Sequence, residues 1–225
     1  MSYLIRQAHT APQLSASLSD PVWHTAAELS IDQFHPKSSN HRPVTRARML
    51  FDKTHLYVHF SVSDRFVRCV QTEYQSRVSS DSCVEFFLQP RESAGYFNFE
   101  INCGGTLLLY YIEDPTRTET SMFRKYTIVP ERLGETVRIA TSMPRIVQPE
   151  MTAPVDWWVA CAAPFALFEE YVGPVAPASG ERWRGNLFKC GDASSHPHWA
   201  SWAPIGEILR FHQPEFFGNL QFAPN

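Results

Sequence analysis

Hydrophobic and polar residues alternate with a period of two over several short stretches of the chain. Residues 56–64 show this most clearly, with one apolar and one more polar series: Leu56, Val58, Phe60 and Val62 against Tyr57, His59, Ser61 and Ser63. Successive side chains of a strand point to opposite faces of a sheet. The pattern predicts a half-buried antiparallel strand, paired with residues 47–51 through a turn at 52–54.

Residues 83–88 and 96–102 form a second predicted hairpin, around a loop that contains Pro90 and Gly95. A symmetric register pairs Glu85 with Glu100 and gathers apolar side chains on one face: Val84, Phe86, Leu88, Phe97, Phe99 and Ile101. The other face then presents Cys83, Glu85, Phe87, Tyr96, Asn98, Glu100 and Asn102. Because a slip of one residue would bury both carboxylates, the apolar pattern itself favours this register.

Further strands are predicted at 106–112, 125–129, 137–142, 157–162, 183–189, 200–202 and 218–222, and a short helix at 164–171. The Pro- and Gly-containing stretch 172–180 is predicted to be a surface loop. Many short strands separated by turn signals indicate an all-β fold, an antiparallel, jelly-roll-like β-sandwich with one or two short helices. We expect a single domain over residues 1–225.

Composition narrows the choice of partners. The chain has 20 Lys and Arg against 23 Asp and Glu, a net charge of −3, and no basic run, which argues against nucleic acid. No apolar stretch approaches the roughly 20 residues that span a bilayer, so we expect a soluble protein and no membrane partner. The apolar run near the N-terminus is too short for a signal peptide. A cytoplasmic location is therefore expected, or secretion if a leader has been removed.

The five cysteines are widely spaced and include no Cys-x-x-Cys pair, and we expect them to be buried free thiols. No nucleophile elbow, P-loop or dinucleotide fingerprint is present in the sequence. His196 and His198, with Cys190, Asp192 or His212, form only a weak zinc pattern, because Pro197 separates the two histidines and no third ligand has a regular spacing.

Glu85 and Glu100, placed opposite each other, would have Cβ atoms about 5 Å apart, a costly arrangement for two negative charges. They could accept hydrogen bonds from sugar hydroxyls, or coordinate calcium together with Asn98 or Asn102. They could also be the acid and the nucleophile of a retaining glycosidase, for which a separation of about 5 Å is suitable. The alternative without a ligand is a solvated strand face neutralised by Lys or Arg.

The C-terminal third is dense in aromatic and hydrogen-bonding side chains, at 183–192, 196–202 and 211–218. A sugar ring offers apolar faces to flat aromatic rings and a rim of hydroxyls to polar groups. The candidate ligand-binding residues here are Lys189, Asp192, His198, Trp199, Trp202 and Phe211. Core packing is the alternative for the three aromatic residues, and it is the prediction for Phe216, Phe217 and Phe222.

Several segments, taken in order, resemble family 9 carbohydrate-binding modules, and more closely their stand-alone bacterial relatives. The segments are 50–60, 81–88, 96–102, 183–192, 198–205 and 211–218, together with Trp23 in the opening segment. The resemblance implies a β-sandwich without catalysis of its own, which holds the end of an oligosaccharide or polysaccharide between two aromatic rings. It also implies a role in polysaccharide catabolism and, in many such modules, structural calcium.

The resemblance assigns roles to individual positions. Glu85 occupies the family's acidic sugar-contacting position, Asn102 matches a polar position on the next strand, and Phe211 stands where the second sandwiching Trp is found. Two departures alter the expected site. Residues 75–80 contain no aromatic to supply the first sandwiching ring, Tyr74 being the nearest, and Glu100 replaces an expected Arg.

Two functions of other classes compete with carbohydrate binding. A sugar-active enzyme would use Glu85 and Glu100, and would place both carboxyl groups in one pocket with a raised pKa. A haem-binding sandwich would use Met122, Met143 or Met151 with some of the nine histidines.

Overall fold

The computed structural model describes residues 1–92, 94–120, 122–175 and 180–223, with only the backbone at 16–18. The described strands are β1 (Ser2–Gln7), β2 (Leu29–Ser30), β3 (Gln33–Phe34), β4 (Val44–Phe51), β5 (His55–Asp64), β6 (Val67–Cys69), β7 (Cys83–Gln89), β8 (Tyr96–Asn102), β9 (Leu107–Asp114), β10 (Lys125–Ile128), β11 (Arg138–Thr141), β12 (Val147–Met151), β13 (Val155–Pro164), β14 (Arg182–Cys190), β15 (Trp199–Ser201) and β16 (Gly218–Phe222). Two short α-helices, α1 (Glu131–Gly134) and α2 (Phe165–Val172), accompany 3₁₀ turns at Leu14–Ser19, Pro21–Thr25, Val78–Ser80 and Pro214–Phe216.

Most of the described strands form two facing sheets that share β1, and β6 and β12 form a separate two-stranded sheet. One sheet has the order β10-β9-β8-β7-β14-β16-β1, and the other continues as β1-β4-β5-β13-β11. Strand β1 pairs in parallel with β16 and then with β4, whereas the other described pairings are antiparallel. Phe60 of β5 meets Phe86 of β7 across the core, with ring centroids 6.3 Å apart. The prediction of an all-β antiparallel sandwich with two short helices is confirmed.

The register predicted for the hairpin of β7 and β8 is confirmed. Glu85 lies opposite Glu100, and Phe87 lies opposite Asn98. All six apolar side chains of the inner face belong to the main core between the sheets. The register therefore places two carboxyl groups side by side on the outer face, where the candidate site is built.

The half-buried character predicted for β5 is wrong over its first part. Tyr57 and His59 are each 1% exposed, although they lie on the face opposite the main core. The N-terminal segment covers this face, because the buried Trp23 ring lies 5.3 Å from the His59 ring, and Trp158 stacks on His59 at 6.0 Å. The polar series of β5 becomes solvent-exposed only at Ser63.

Element boundaries agree with the sequence predictions to within a few residues, and the differences are local. The predicted helix begins at Phe165, with Pro164 as its N-cap, and ends before Gly173, whose φ of 73° favours glycine. Strands β1, β2, β3, β6 and β12 and helix α1 have no counterpart among the predictions. Residues 176–179 of the predicted loop lie outside the described residues.

Burial of most singled-out residues follows the predictions. The five cysteines are free and buried, as expected. Phe217 and Phe222 lie in the interior, but Phe216 is 40% exposed, so its assignment to the core is wrong. It belongs to a 3₁₀ turn at the surface, which turns its ring away from the core. Within the described residues, none of the helices combines the length and the apolar character that a membrane span needs.

The apolar series of β5 and β14 both end in a charged residue, and the two charges meet between the sheets. Asp64 continues the series from Leu56 to Val62, and Lys189 continues the series of Trp183 and Leu187. The Lys189 Nζ atom lies 3.4 Å from Asp64 Oδ2, and both side chains are fully buried. This ion pair ties the two sheets together across the core.

Hydrogen bonds saturate the ion pair. Asp64 accepts from His41 Nε2 at 2.7 Å and from Trp157 Nε1 at 3.2 Å. Lys189 donates to the Cys190 carbonyl at 3.0 Å and contacts His198 Nε2 at 2.7 Å. Burial alone would raise the pKa of Asp64, but the Lys189 charge and the His41 hydrogen bond outweigh burial and hold it below its ordinary value. Burial, followed by the Lys189 charge, lowers the pKa of His198 to about 3, so its imidazole is neutral.

Replacing Lys189 by methionine should destabilise the fold strongly, since the volume is kept while Asp64 loses its cation. Breaking a buried ion pair from one side costs about 3–5 kcal/mol. We expect the free energy of unfolding in urea to fall by that amount. The double variant Lys189→Met, Asp64→Asn should recover part of the loss, because the buried charge is then gone.

The control is Arg124→Ala, which removes a surface ion pair with Asp114. Exposed pairs of this kind contribute little to stability, so this variant should unfold like the parent chain. If Lys189→Met were as stable as the control, the ion pair would not hold the sheets together.

Candidate functional site

A cleft lies over the outer face of β7, β8 and β14, and it consists of two adjoining pockets. The inner pocket, of about 140 Å³, is lined by Ser79, Glu85, Glu100, Arg117, Cys190, Asp192, Trp199, Leu209, Arg210, Phe211 and His212. The outer pocket, of about 470 Å³, is lined by Gln75, Arg77, Ser79, Asn98, Glu100, Leu108, Tyr110, Arg117, Met122, Asp192 and His212. Five residues are common to both, so the two pockets form one binding cleft, with a size typical of small-molecule sites.

Two aromatic side chains, Trp199 and Phe211, line the inner pocket. The Phe211 ring stacks on Phe188 of β14, with centroids 4.1 Å apart and planes 13° from parallel. Trp199 is oriented by its indole N–H, which donates to Asp192 Oδ1 at 2.8 Å. Asp192 Oδ2 is held in turn by Ser79 at 3.1 Å. Both rings are therefore fixed before any ligand arrives.

The carboxyl groups of Glu85 and Glu100 form the floor of the inner pocket. Their residues are only 2% and 7% exposed. Glu100 accepts a hydrogen bond from the Asn98 amide at 2.8 Å, and Glu85 accepts one from the Cys190 thiol at 3.1 Å. In the part of the chain that the structure describes, no Lys or Arg forms an ion pair with either carboxyl group. The alternative of a solvated strand face, on which Lys or Arg neutralises the two carboxylates, is therefore not what the structure shows.

Burial shifts the ionisation of the whole floor. It raises the pKa of Glu100 to about 7, against the hydrogen bond from Asn98. Burial and the neighbouring Glu100 charge raise the pKa of Glu85 well above its ordinary value. His212 lies with its Nε2 atom 3.9 Å from Glu100, and burial together with Arg117 and Arg210 lowers its pKa to about 3. Near neutral pH the floor therefore holds at least one carboxyl proton and a neutral imidazole, and it can both donate and accept hydrogen bonds.

Five of the nine residues predicted from the sequence come together in the inner pocket: Glu85, Glu100, Asp192, Trp199 and Phe211. The remaining four lie elsewhere in the fold. Lys189 and His198 belong to the buried polar cluster between the sheets. Trp202 packs in the main core, edge-on to Tyr3 at 6.5 Å.

Asn102 fastens the segment that precedes β7. Its amide donates to the Gln71 carbonyl at 2.8 Å and to Asp81 at 3.0 Å, and its oxygen accepts from the Thr106 N–H at 2.9 Å. The Asn98 oxygen is likewise engaged, by the Tyr110 N–H at 2.8 Å. Calcium coordination by Glu85 and Glu100 together with Asn98 or Asn102 stays a prediction.

Several residues of the cleft are additional to the sequence predictions, notably Arg117, Arg210, His212 and Tyr110. His212 was considered only as a metal ligand, whereas its Nδ1 atom meets the Tyr96 hydroxyl at 2.9 Å and its other nitrogen faces the floor. Arg210 has a buried Nε without a hydrogen-bond partner. In the sequence, Arg210 could have been identified only from its position next to Phe211, which was a predicted ligand-binding residue.

The histidines proposed for zinc do not gather at one point. His196 stacks on Phe66 with centroids 3.7 Å apart, His198 lies between the sheets, and His212 lies in the cleft. Of the methionines proposed for haem, Met122 lines the outer pocket, whereas Met143 packs against the core.

Tyr74, the nearest aromatic to the missing first sandwiching ring, lies in a separate cavity of about 310 Å³ beside Gly104 and Gly134. Its hydroxyl donates to the Val129 carbonyl at 2.8 Å. None of the nine predicted ligand-binding residues lines that cavity. The aromatic surfaces of the inner pocket come instead from Trp199 and Phe211.

The pKa of Glu100 predicts that stability falls as pH rises through neutrality. Its folded-state pKa is about 7 and its ordinary value is 4.5, so the folded chain binds more protons between these limits. This contribution to stability is complete below the ordinary pKa and is lost as pH rises to the folded-state pKa, a change of about 3 kcal/mol. Unfolding in urea at several pH values from ~5 to ~8 should show this slope reduced in Glu100→Gln.

The comparison between parent and variant is needed because histidines with lowered pKa, such as His59 and His198, give the opposite slope. Those histidines are present in both chains, so their contribution cancels. Glu113→Gln, which alters a carboxylate paired with Lys125 at the surface, is the matched control. An unchanged slope in Glu100→Gln would contradict the buried, protonated floor.

Solved structures with the same fold bind sugars. A presumed carbohydrate-binding protein from Bacteroides uniformis ATCC 8492 is 27% identical, with a TM-score of 0.83 over 98% of each chain. A family 9 carbohydrate-binding module from Caldicellulosiruptor kristjanssonii, solved with cellotriose, is 11% identical, with a TM-score of 0.68 over 100% of this chain and 95% of that one. The glucose complex of such a module from the same organism has 11% identity and a TM-score of 0.63, covering 99% and 96%.

No curated protein matches the chain at a significant level. The model of one protein family, described as carbohydrate-binding family 9, matches residues 22–222, which is nearly the whole chain and includes every residue of the binding cleft. The chain belongs to carbohydrate-binding family 9.

Proposed function

We propose that the binding cleft holds a saccharide and releases it unchanged, so that the chain is a non-catalytic carbohydrate-binding domain. One observation carries this proposal. Trp199 and Phe211 line a pocket whose floor is the buried pair Glu85 and Glu100. Flat rings beside hydrogen-bonding groups match the two kinds of surface that a sugar ring presents.

The protonation of the floor suits neutral hydroxyl groups. Because Glu85 and Glu100 have raised pKa values, the pair keeps at least one proton near neutral pH. A sugar hydroxyl can donate to one carboxyl group and accept from the other, which satisfies both buried groups. Ser79 and Asp192 extend this polar surface into the outer pocket, where a second sugar unit would lie.

The family's solved relatives direct the choice of ligand. Structures of the Caldicellulosiruptor module hold cellotriose and glucose, so gluco-oligosaccharides are the first class to test. Phe211 stands at the position of the family's second sandwiching ring. Trp199, from β15, supplies the other ring of the pocket, in place of the aromatic that residues 75–80 lack.

A sugar-active enzyme, the alternative from the sequence, is not favoured by the comparisons, but its paired carboxyl groups make it worth a direct test. Glu85 and Glu100 share one pocket, and the pKa of both is raised, as such an enzyme would require. However, the two carboxyl groups project from neighbouring strands on one sheet face. The carboxyl groups of glycosidases flank the bond that they cleave. Incubation with cellotriose and with chromogenic glycosides, followed by product analysis, distinguishes hydrolysis from binding.

The proposal also covers the biological process in which the domain takes part, its location and its possible cofactors. We propose that it binds oligosaccharide or polysaccharide during polysaccharide catabolism in a bacterium. Calcium, a cytoplasmic location and the absence of nucleic acid partners stay predictions from the sequence. Haem binding, the third hypothesis, is tested by the Soret region of the absorption spectrum of the purified chain incubated with haem.

Removing the Phe211 ring should weaken saccharide binding without affecting the fold. In Phe211→Ala we expect a loss of affinity of at least about tenfold, or about 1.4 kcal/mol, because the stacking surface of the pocket is lost. A broad glycan array identifies the saccharide, and isothermal titration calorimetry then gives the two dissociation constants. Phe216→Ala is the matched control, because Phe216 is a partly exposed ring outside the two pockets.

Equal affinities in Phe211→Ala and Phe216→Ala would place the saccharide elsewhere on the surface. If a broad array gives no binder for the parent chain, carbohydrate binding itself fails.

A further inference from the structure

Three metal-ligating side chains gather beneath the inner pocket. Antiparallel pairing of β7 with β14 places Cys83 directly opposite Cys190. Glu85 follows Cys83 by two residues and therefore projects from the same face. The two sulfur atoms and one carboxylate oxygen all lie within 4.8 Å of one another, and the Cys190 sulfur is 3.1 Å from Glu85 Oε1. The sheet register alone thus assembles the cluster.

We propose that Cys83, Glu85 and Cys190 bind a thiophilic divalent cation, with Zn²⁺ as the representative ion. Zinc bonds of about 2.3 Å to sulfur and about 2.0–2.2 Å to oxygen place tetrahedral ligands roughly 3.5 Å apart. The cluster is close to this spacing, so modest changes of side-chain torsion would close it around an ion.

The donor set selects the class of metal. Two sulfur ligands favour zinc and other thiophilic ions, whereas calcium and magnesium take oxygen ligands. The proposed site shares Glu85 with the calcium coordination predicted from the sequence for Glu85, Glu100 and Asn98 or Asn102, but its two sulfur ligands select a different class of metal.

Charge balance also favours an ion at this point. Cys83, Glu85 and Cys190 are at most 2% exposed, and no Lys or Arg of the described residues forms an ion pair with Glu85. A divalent ion would displace the thiol protons and offset the buried negative charge that their loss creates.

The cluster is accessible from the cleft. Glu85 and Cys190 both line the inner pocket, through which an ion can enter. Three protein ligands leave one tetrahedral position, which Glu100 or water can fill, since Glu100 lines the same pocket. If the proposed saccharide function holds, a sugar hydroxyl is a further candidate for this position.

Cobalt substitution tests the site directly. The purified full chain is reduced, stripped of metal and titrated with Co²⁺ in the absence of sugar. We expect one ion per chain and a thiolate-to-cobalt charge-transfer band in the near ultraviolet, which Zn²⁺ then abolishes by displacing cobalt. A chromogenic chelator in competition gives the zinc affinity, and Ca²⁺ should not compete.

Variants locate the ligands. Cys83→Ser and Cys190→Ser should each lose the band and weaken zinc binding by about 100-fold or more, and Glu85→Gln by about 10-fold or more. The matched control is Cys103→Ala, because Cys69 and Cys103 form another buried, interacting thiol pair. It should keep the full band. The Glu85→Gln variant keeps the shape of the side chain, so it still tests the metal site if a serine variant does not fold.

Absence of the band in the parent chain would overturn the proposal. So would a band retained in Cys190→Ser, or one lost in Cys103→Ala instead. Because no saccharide takes part in this titration, its failure would leave the carbohydrate proposal intact. A failed glycan array would likewise leave the metal site standing.

Discussion

The buried ion pair between Lys189 and Asp64 is the constraint on which the binding cleft depends. Side chains alternate along a strand, so a lysine directed into the core forces its neighbours Phe188 and Cys190 onto the outer face of β14. Phe188 there supports the ring of Phe211, and Cys190 contacts Glu85. A core contact thus sets which side chains of β14 face the side of the cleft.

The floor of the cleft is polar although its two carboxyl residues are almost closed to solvent. The segment that carries Trp199 and residues 209–212 covers the outer face of β7 and β8, where Glu85 and Glu100 would otherwise be hydrated. Burying two facing carboxylates in their charged form would be costly, so the pair lowers its charge by retaining protons. The same covering segment therefore shapes the pocket and changes the chemistry of its floor.

The sequence predicts the hairpin of β7 and β8 well because its two faces differ sharply in polarity. Only one register keeps Glu85 and Glu100 out of the core, and the structure has that register. Strand β14 shows this contrast only in its first part, where Trp183 and Leu187 alternate with Arg184 and Asn186. At its end the polar Lys189 lies on the apolar side, and its buried partner Asp64 is remote in sequence, so no local pattern contains that information. Lys189 and His198 were therefore proposed as ligand contacts, whereas they lie between the sheets.

The loop residues of the cleft were also difficult to predict from the sequence. Trp199 and Phe211 could be proposed from composition, but Arg117, Arg210 and His212 reach the cleft through loops that follow no strand periodicity. Loops are placed by the contacts of their ends and by single hydrogen bonds, such as that between Tyr96 and His212.

The sequence resemblance predicts an arginine where this chain has Glu100, and this difference would change the hydrogen-bonding character of the floor. An arginine beside Glu85 would hold that carboxylate charged and make it a fixed hydrogen-bond acceptor. Glu100 has the opposite effect, since its own charge raises the pKa of Glu85 and favours the protonated acid. A carboxyl group of the floor can then present an O–H donor, whereas a carboxylate paired with arginine would only accept hydrogen bonds.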